Sequence, residues 1–149
     1  MRNGLAKFSR RARRGSSLTE FALCSTVLIL LTVGGTDLAR IFTLGTAMTQ
    51  ASKAGAQFAA FSTANASNTS GIQAAAVAAA PGVNMTVTSA QSCICAETGQ
   101  AASCSGGGCV SEPKMYIQVT ATSQFTAFLP YWGSSSTVPV GVVTSMRVK

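Results

Sequence analysis

Four cysteines, Cys93, Cys95, Cys104 and Cys109, fall within one Gly/Ser-rich connection. Thiols this close can make covalent staples or a thiolate metal site. Two disulfides are the expected chemistry in an oxidising compartment, and four cysteines allow three pairings. Cys93 and Cys95 have one residue between them and are not expected to bond each other. Each then pairs with Cys104 or Cys109, in either order. Loops this short each stabilise by roughly 3 kcal/mol in the chain-entropy picture. A four-thiolate zinc site is the competing arrangement. Its usual knuckle has two or more residues between paired cysteines, and Cys-x-Cys is tighter than that, so no metal is expected. Cys24 stands apart in an apolar run and reads as a small apolar residue.

Little else can do covalent chemistry. The chain has no histidine and four acidic residues. That removes a His base, a His metal ligand and a downstream pair of carboxylates. No Cys-x-x-Cys redox motif is present, and no nucleophile stands beside a base. The expectation is a protein that is not an enzyme, with no catalytic residues, no cofactor and no small-molecule substrate.

Two acids stand in unusual company. Glu20 lies five residues past Gly15, at the mouth of an apolar run that reaches Val33. A carboxylate inside a membrane helix costs around 2.5–3.5 kcal/mol on insertion scales, so it asks for a partner. Its bland alternative is an interfacial glutamate tolerated at the positive end of the helix dipole. Asp37 and Arg40 stand three apart, on one helix face, and can form a helix ion pair.

The basic charge is equally localised. The formal net charge is +7, yet Arg2, Lys7, Arg10, Arg11, Arg13 and Arg14 all precede Gly15, with no acid among them. The rest of the chain carries five basic and four acidic residues. A charge excess confined to a short tail beside an apolar segment reads as membrane topology, with the tail cytoplasmic. No basic stripe remains for phosphates, so no nucleic-acid partner is expected.

These residues must be positioned by a few elements. Spanning the hydrocarbon takes about 20 largely apolar residues, and Leu18 to Leu44 supplies them if Asp37 and Arg40 are accommodated. Gly34-Gly35 would let another backbone come close. Beyond that, Ile41, Leu44, Met48, Ala51, Gly55, Phe58 and Ala59 recur at three- and four-residue steps, which predicts an amphipathic extension of the same helix. Phe42, Phe58 and Phe61 are expected to pack against a sheet. The helix is placed over about 17–62, followed by a Ser/Thr/Asn loop and a short second helix over about 70–80 that Pro81-Gly82 stops. Three alternating stretches follow, from Val83, Met115 and Val138, with Pro130-Tyr131-Trp132-Gly133 in the last turn. The fold class is therefore α+β: a long transmembrane and amphipathic N-terminal helix, a short second helix and a small antiparallel three-stranded sheet with a cysteine-rich loop. The organisation expected is a basic cytoplasmic leader at 1–15, a transmembrane helix at 16–44, a periplasmic continuation at 45–62 and a small disulfide-stapled periplasmic domain at 63–149.

The leader departs from an ordinary signal peptide, whose cut follows the apolar region. Here the glycine sits between the basic tail and the apolar run, and Gly15-Ser16-Ser17-Leu18-Thr19-Glu20-Phe21 resembles a type IV prepilin processing site. With Asp37-Leu38-Ala39-Arg40, Ala51-x-x-Ala54-Gly55-Ala56 and the later Cys-x-Cys, the pattern resembles the TadE-like pseudopilins of the Tad (tight adherence) pilus system. The likeness is tightest over residues 13–60. Cys24-Ser25-Thr26 stands where many pilins carry a helix proline. The resemblance implies a pilin-like fold, peptidase cleavage between Gly15 and Ser16, and a role for Glu20 and Phe21 in docking onto a neighbouring subunit. It implies a minor pilin or pseudopilin that helps assemble or prime a type IVb pilus for adherence or biofilm formation. The implied partners are a prepilin peptidase, other pilin-like subunits, the inner-membrane assembly platform and membrane lipid. Its location would be the bacterial inner membrane, single-pass, and possible entry into an extracellular pilus. Two alternatives stand beside it: a single-pass protein with a periplasmic interaction module outside any pilus, and a minor pseudopilin of type II secretion.

Overall fold

A computed structural model describes residues 6–105, 108–128 and 136–149, with side chains described from Ser17 onward. The chain forms two compact units, one ending at Ala39 and the other running from Arg40 to Lys149. The division falls inside the first helix, α1, which spans Ala6–Ala60. The helix thus begins well ahead of the expected residue 17, within the basic leader.

In the first unit, α1 is apolar and its large side chains face outward. Leu18, Phe21, Leu23 and Val27 to Leu31 are all exposed. The hydroxyls among them are turned back onto the helix. Ser25 Oγ and Thr26 Oγ1 donate to the carbonyl of Ala22 at 2.9 Å, Thr32 Oγ1 to that of Ile29 and Thr36 Oγ1 to that of Thr32, both at 2.8 Å. A Ser or Thr mid-helix commonly satisfies itself this way, on the carbonyl three or four residues back.

In the second unit the same helix changes character. Met48, Ala51, Ser52, Ala56 and Ala59 are fully buried, a stripe at steps of three and four that lies in the core with Ile117, Val119 and Ala121. Apart from Met48 this face is made of small residues, with Phe58 only half-buried beside it. Phe42 and Phe61 do not pack as expected: they are 66 % and 77 % exposed. At Gly55 an added Cβ would lie 3.2 Å from the Ile72 carbonyl oxygen, so the small side chains allow close approach of the helices. Ala56→Leu is expected to cost about 1–3 kcal/mol by overpacking. The readout is the thermal unfolding midpoint of the purified protein.

The Ser/Thr/Asn segment predicted as a loop is largely helical. Ser62 caps α2, Thr63–Ser67, by accepting from the Asn65 N–H. Asn68 then caps α3, Thr69–Ala79, by accepting from the Gly71 N–H at 2.9 Å. Consecutive polar caps can start helices as readily as they fill loops. Helix α3 matches the expected short helix, and Ile72 and Ala76 are its buried residues.

The sheet has four strands, not the three expected. They are β1 (Thr86–Ile94), β2 (Ala101–Ala102), β3 (Lys114–Thr126) and β4 (Thr137–Arg147), in the order β2-β1-β3-β4, all antiparallel. The addition is β2, two alanines facing Cys93 and Ile94, too short to carry an alternating pattern. The long central β3 buries Ile117, Val119, Ala121 and Phe125 on alternate positions. Gln73 Nε2 donates to the Val87 carbonyl, and Gln91 Nε2 to that of Ala66, tying β1 to the short helices. The Val148 N–H donates to the Met115 carbonyl, so the even-numbered residues of β4 turn their backbone groups toward β3. Pro139, which has no N–H, falls in the outward-facing set, where an edge strand tolerates it. The expected turn at Pro130-Tyr131-Trp132-Gly133 lies outside the described residues.

Candidate functional site

Three groups of residues carry the chemistry. The first is the N-terminal part of α1. Gly15 and Ser16 fall within the helix, and their side chains lie outside the described residues. Glu20 and Phe21 follow, both exposed, Phe21 to 72 %. Ser17–Ala60 contains a stretch long and apolar enough to cross a membrane by length and composition, and none of that stretch is buried among the described residues. Such a stretch could serve as a membrane anchor.

The second group lies further along α1. Asp37 is only 1 % exposed. Arg40 extends its guanidinium over two aromatic rings, with its central carbon 4.3 Å from the Phe128 ring centroid and 5.3 Å from that of Phe125. Guanidinium groups favour ring faces through the quadrupole of the π-system. This contact had no signal in the sequence, because Phe125 lies near the end of β3 and Phe128 two residues beyond it, far from Arg40 in the chain.

The third group is the cysteine-rich connection. Cys93 bonds Cys104 and Cys95 bonds Cys109, with Cα–Cα distances of 5.2 and 5.4 Å. The sequence left the order open, and the structure selects this one. Residues two apart in extended backbone share a face and hold their Cβ atoms roughly 6.5 Å apart, whereas a disulfide needs about 3.8 Å. Cys93 and Cys95 are both buried.

Glu97, which sequence reading passed over, fixes the far side of this connection. Its carboxylate accepts from the Ser111 hydroxyl at 2.7 Å and from the Val110 and Ser111 backbone N–H groups. These donors, the Ser111 hydroxyl first, lower its pKa from 4.5 to about 2. The Sγ atoms of Cys95 and Cys109 and a Glu97 oxygen lie within 4.8 Å of one another. Since a thiolate is the metal ligand and both sulfurs are spent on one bond, the grouping is a staple beside a clamp.

The clamp has a definite pH dependence. A carboxylate whose pKa falls on folding contributes stability above its unfolded pKa and loses it as the pH drops through the folded value. Glu97→Gln should therefore melt at a lower temperature than the unaltered protein at pH 6. The difference should shrink as the pH falls below 4.5 and be lost only below about pH 2, as measured by thermal melts across that range.

With this geometry in place, the N-terminal segment can be compared with known families. Residues 15–57 match the family model described as TadE-like protein. The TadE-like segment therefore begins at Gly15, takes in Glu20, Phe21, Asp37 and Arg40, and ends within the buried small-residue face of α1. It agrees with the resemblance read from the sequence and associates the chain with Tad pilus proteins in general. Neither a curated protein nor a solved structure gives a significant match.

Proposed function

We propose that this protein is a minor pilin or pseudopilin that takes part in assembling or priming a Tad-type pilus, with no catalysis of its own. The observation that carries the reading is the TadE-like match, which starts at Gly15 and covers an apolar stretch of α1 that is not buried among the described residues. In this reading the basic leader stays cytoplasmic, α1 crosses the inner membrane and the stapled sheet lies in the periplasm. A prepilin peptidase cuts between Gly15 and Ser16. Cutting there removes six basic residues and leaves the apolar helix at the new amino terminus.

Glu20 then meets the terminal ammonium group of a neighbouring subunit. The pairing offsets its cost in lipid only when two subunits stand in one axial register, so the charge acts as an alignment device. Phe21 packs beside it. Asp37 and Arg40, three apart on the helix, form an ion pair that eases both charges through the outer membrane boundary. Other pilin-like subunits, the assembly platform and lipid are the partners this arrangement suits.

N-terminal sequencing of the protein purified from native membranes tests the reading. The expected first residue is Ser16. A mature protein that still begins at Met1 would point instead to a plain single-pass anchor with a periplasmic module.

A further inference from the structure

The two edges of the sheet are finished differently. On the β1 side, the outward carbonyl of Val87 accepts from Gln73 Nε2, and β2 pairs with the strand's end at Cys93 and Ile94. On the other side the sheet ends in β4, which is 11 residues long. Its even-numbered residues bond to β3, so the backbone groups of Gly141, Val143, Ser145 and Arg147 point away from the sheet. Among the described residues, no backbone hydrogen bond reaches those four from outside. Edge strands are ordinarily blunted by charges, prolines, bulges or shortness, and residues 140–146 have none of these.

The side chains of β4 show what this edge lacks. Val140, Val142 and Met146 pack against the core yet are only partly buried, and Val143 on the opposite face is 54 % exposed. A strand laid alongside would complete their burial if it had the same alternation, a matching length and an uncharged middle. Strand β4 itself has all three. Two copies can pair antiparallel about a twofold axis, with Val143 set against Ser145 and Gly141 against Arg147. Pro139, lacking an N–H, then falls outside the ladder, and the two Arg147 side chains lie at its opposite ends. Each of the four outward N–H groups on either strand finds a carbonyl, giving eight bonds across the pair. On the core side Val142 meets Met146 of the second copy and Thr144 meets its own counterpart. Apolar pairs and threonine pairs both suit neighbouring strands.

We infer that β4 is the docking edge for a second copy of this chain, joining two four-stranded sheets into one continuous sheet. The same residues serve on both molecules, so the contact closes as a dimer and does not propagate. It depends on neither cleavage nor membrane insertion, since all of its residues lie in the second unit.

Analytical ultracentrifugation of the detergent-solubilised full chain, over a range of protein concentrations, tests it. The unaltered protein should sediment as a dimer. Val143→Pro removes an outward N–H and no bond to β3, as Pro139 already does, and should raise the dissociation constant at least tenfold. Val143→Lys keeps the backbone intact, brings two like charges together and should act in the same direction. It decides the matter if Val143→Pro fails to form both disulfides. Cross-linking reads the register in a Cys24→Ser background. Val143→Cys should be joined to its counterpart by a bifunctional maleimide with a reach of about 9 Å. Thr88→Cys, on the same face but two strands away, should not be joined. A monomer at every concentration would overturn the inference. So would a dimer that both Val143 substitutions leave unchanged, which would place self-association in the apolar helix instead. Cross-linking through Thr88→Cys as readily as through Val143→Cys would overturn it too.

Discussion

Gly15→Val should abolish processing, leaving a chain that still begins at Met1, and should reduce piliation to the level of a deletion. The leader would then keep its six basic residues beside the membrane. Positive charge of that density holds a segment on the cytoplasmic side, so the helix could not be drawn outward into a filament. Immunoblotting separates the two sizes, and electron microscopy counts the pili. Glu20→Ala should behave differently. It removes a cost of about 2.5–3.5 kcal/mol from insertion, so the membrane level should hold or rise and cleavage should proceed. Piliation should nevertheless fall, because nothing then sets the axial register of neighbouring subunits. A Glu20→Ala strain with normal pili would reduce the glutamate to a tolerated interfacial charge.

Loss of the staples should have the second large effect. Each disulfide closes a short loop, with separations of 11 and 14 residues, and each should contribute about 3 kcal/mol. A small domain has a total stability of only some 5–15 kcal/mol, so removing both bonds takes away much of it. Replacing all four cysteines with serine should lower the midpoint of thermal unfolding by well over 10 °C, given several degrees per kcal/mol in domains of this size. Reductant should produce the same shift in the unaltered protein. The two single losses should differ. Removing Cys95–Cys109 also loosens the segment that presents Val110 and Ser111 to Glu97, so it should cost more than removing Cys93–Cys104. Equal melting of the two double variants would separate the clamp from the staple.

Much of this architecture was legible in the residues, for identifiable reasons. The long helix announced itself through its apolar run and then through steps of three and four. The strands announced themselves through alternation, and the stapled loop through four clustered thiols. What could not be read was set by distant partners or by elements too short to have a period. Strand β2 is two alanines, held only by pairing with Cys93 and Ile94. Helix α2 looks like a loop in composition, yet Ser62 and Asn68 place a cap at the start of each short helix. Of the three phenylalanines, Phe58 packs against the core, whereas Phe42 and Phe61 do not, because side-chain size alone does not specify burial. Met48, alanines and Ser52 make the buried face of the helix, and Phe42 and Phe61 remain outside it. At the candidate site, the pattern around Gly15 and Glu20 was local and visible. The stacking of Arg40 and the grip of Glu97 join residues far apart in the chain, and no local pattern encodes either.

The inward-turned hydroxyls of Ser25, Thr26, Thr32 and Thr36 change how this helix should partition. Residue-by-residue transfer scales treat a threonine as a wet group that must shed its water on entering oil. Here each donor is already occupied by the carbonyl behind it, so less hydration is left to lose. The segment is greasier than its letters suggest. Thr26→Val and Thr32→Val should consequently shift insertion far less than a threonine-to-valine exchange measured on an isolated side chain.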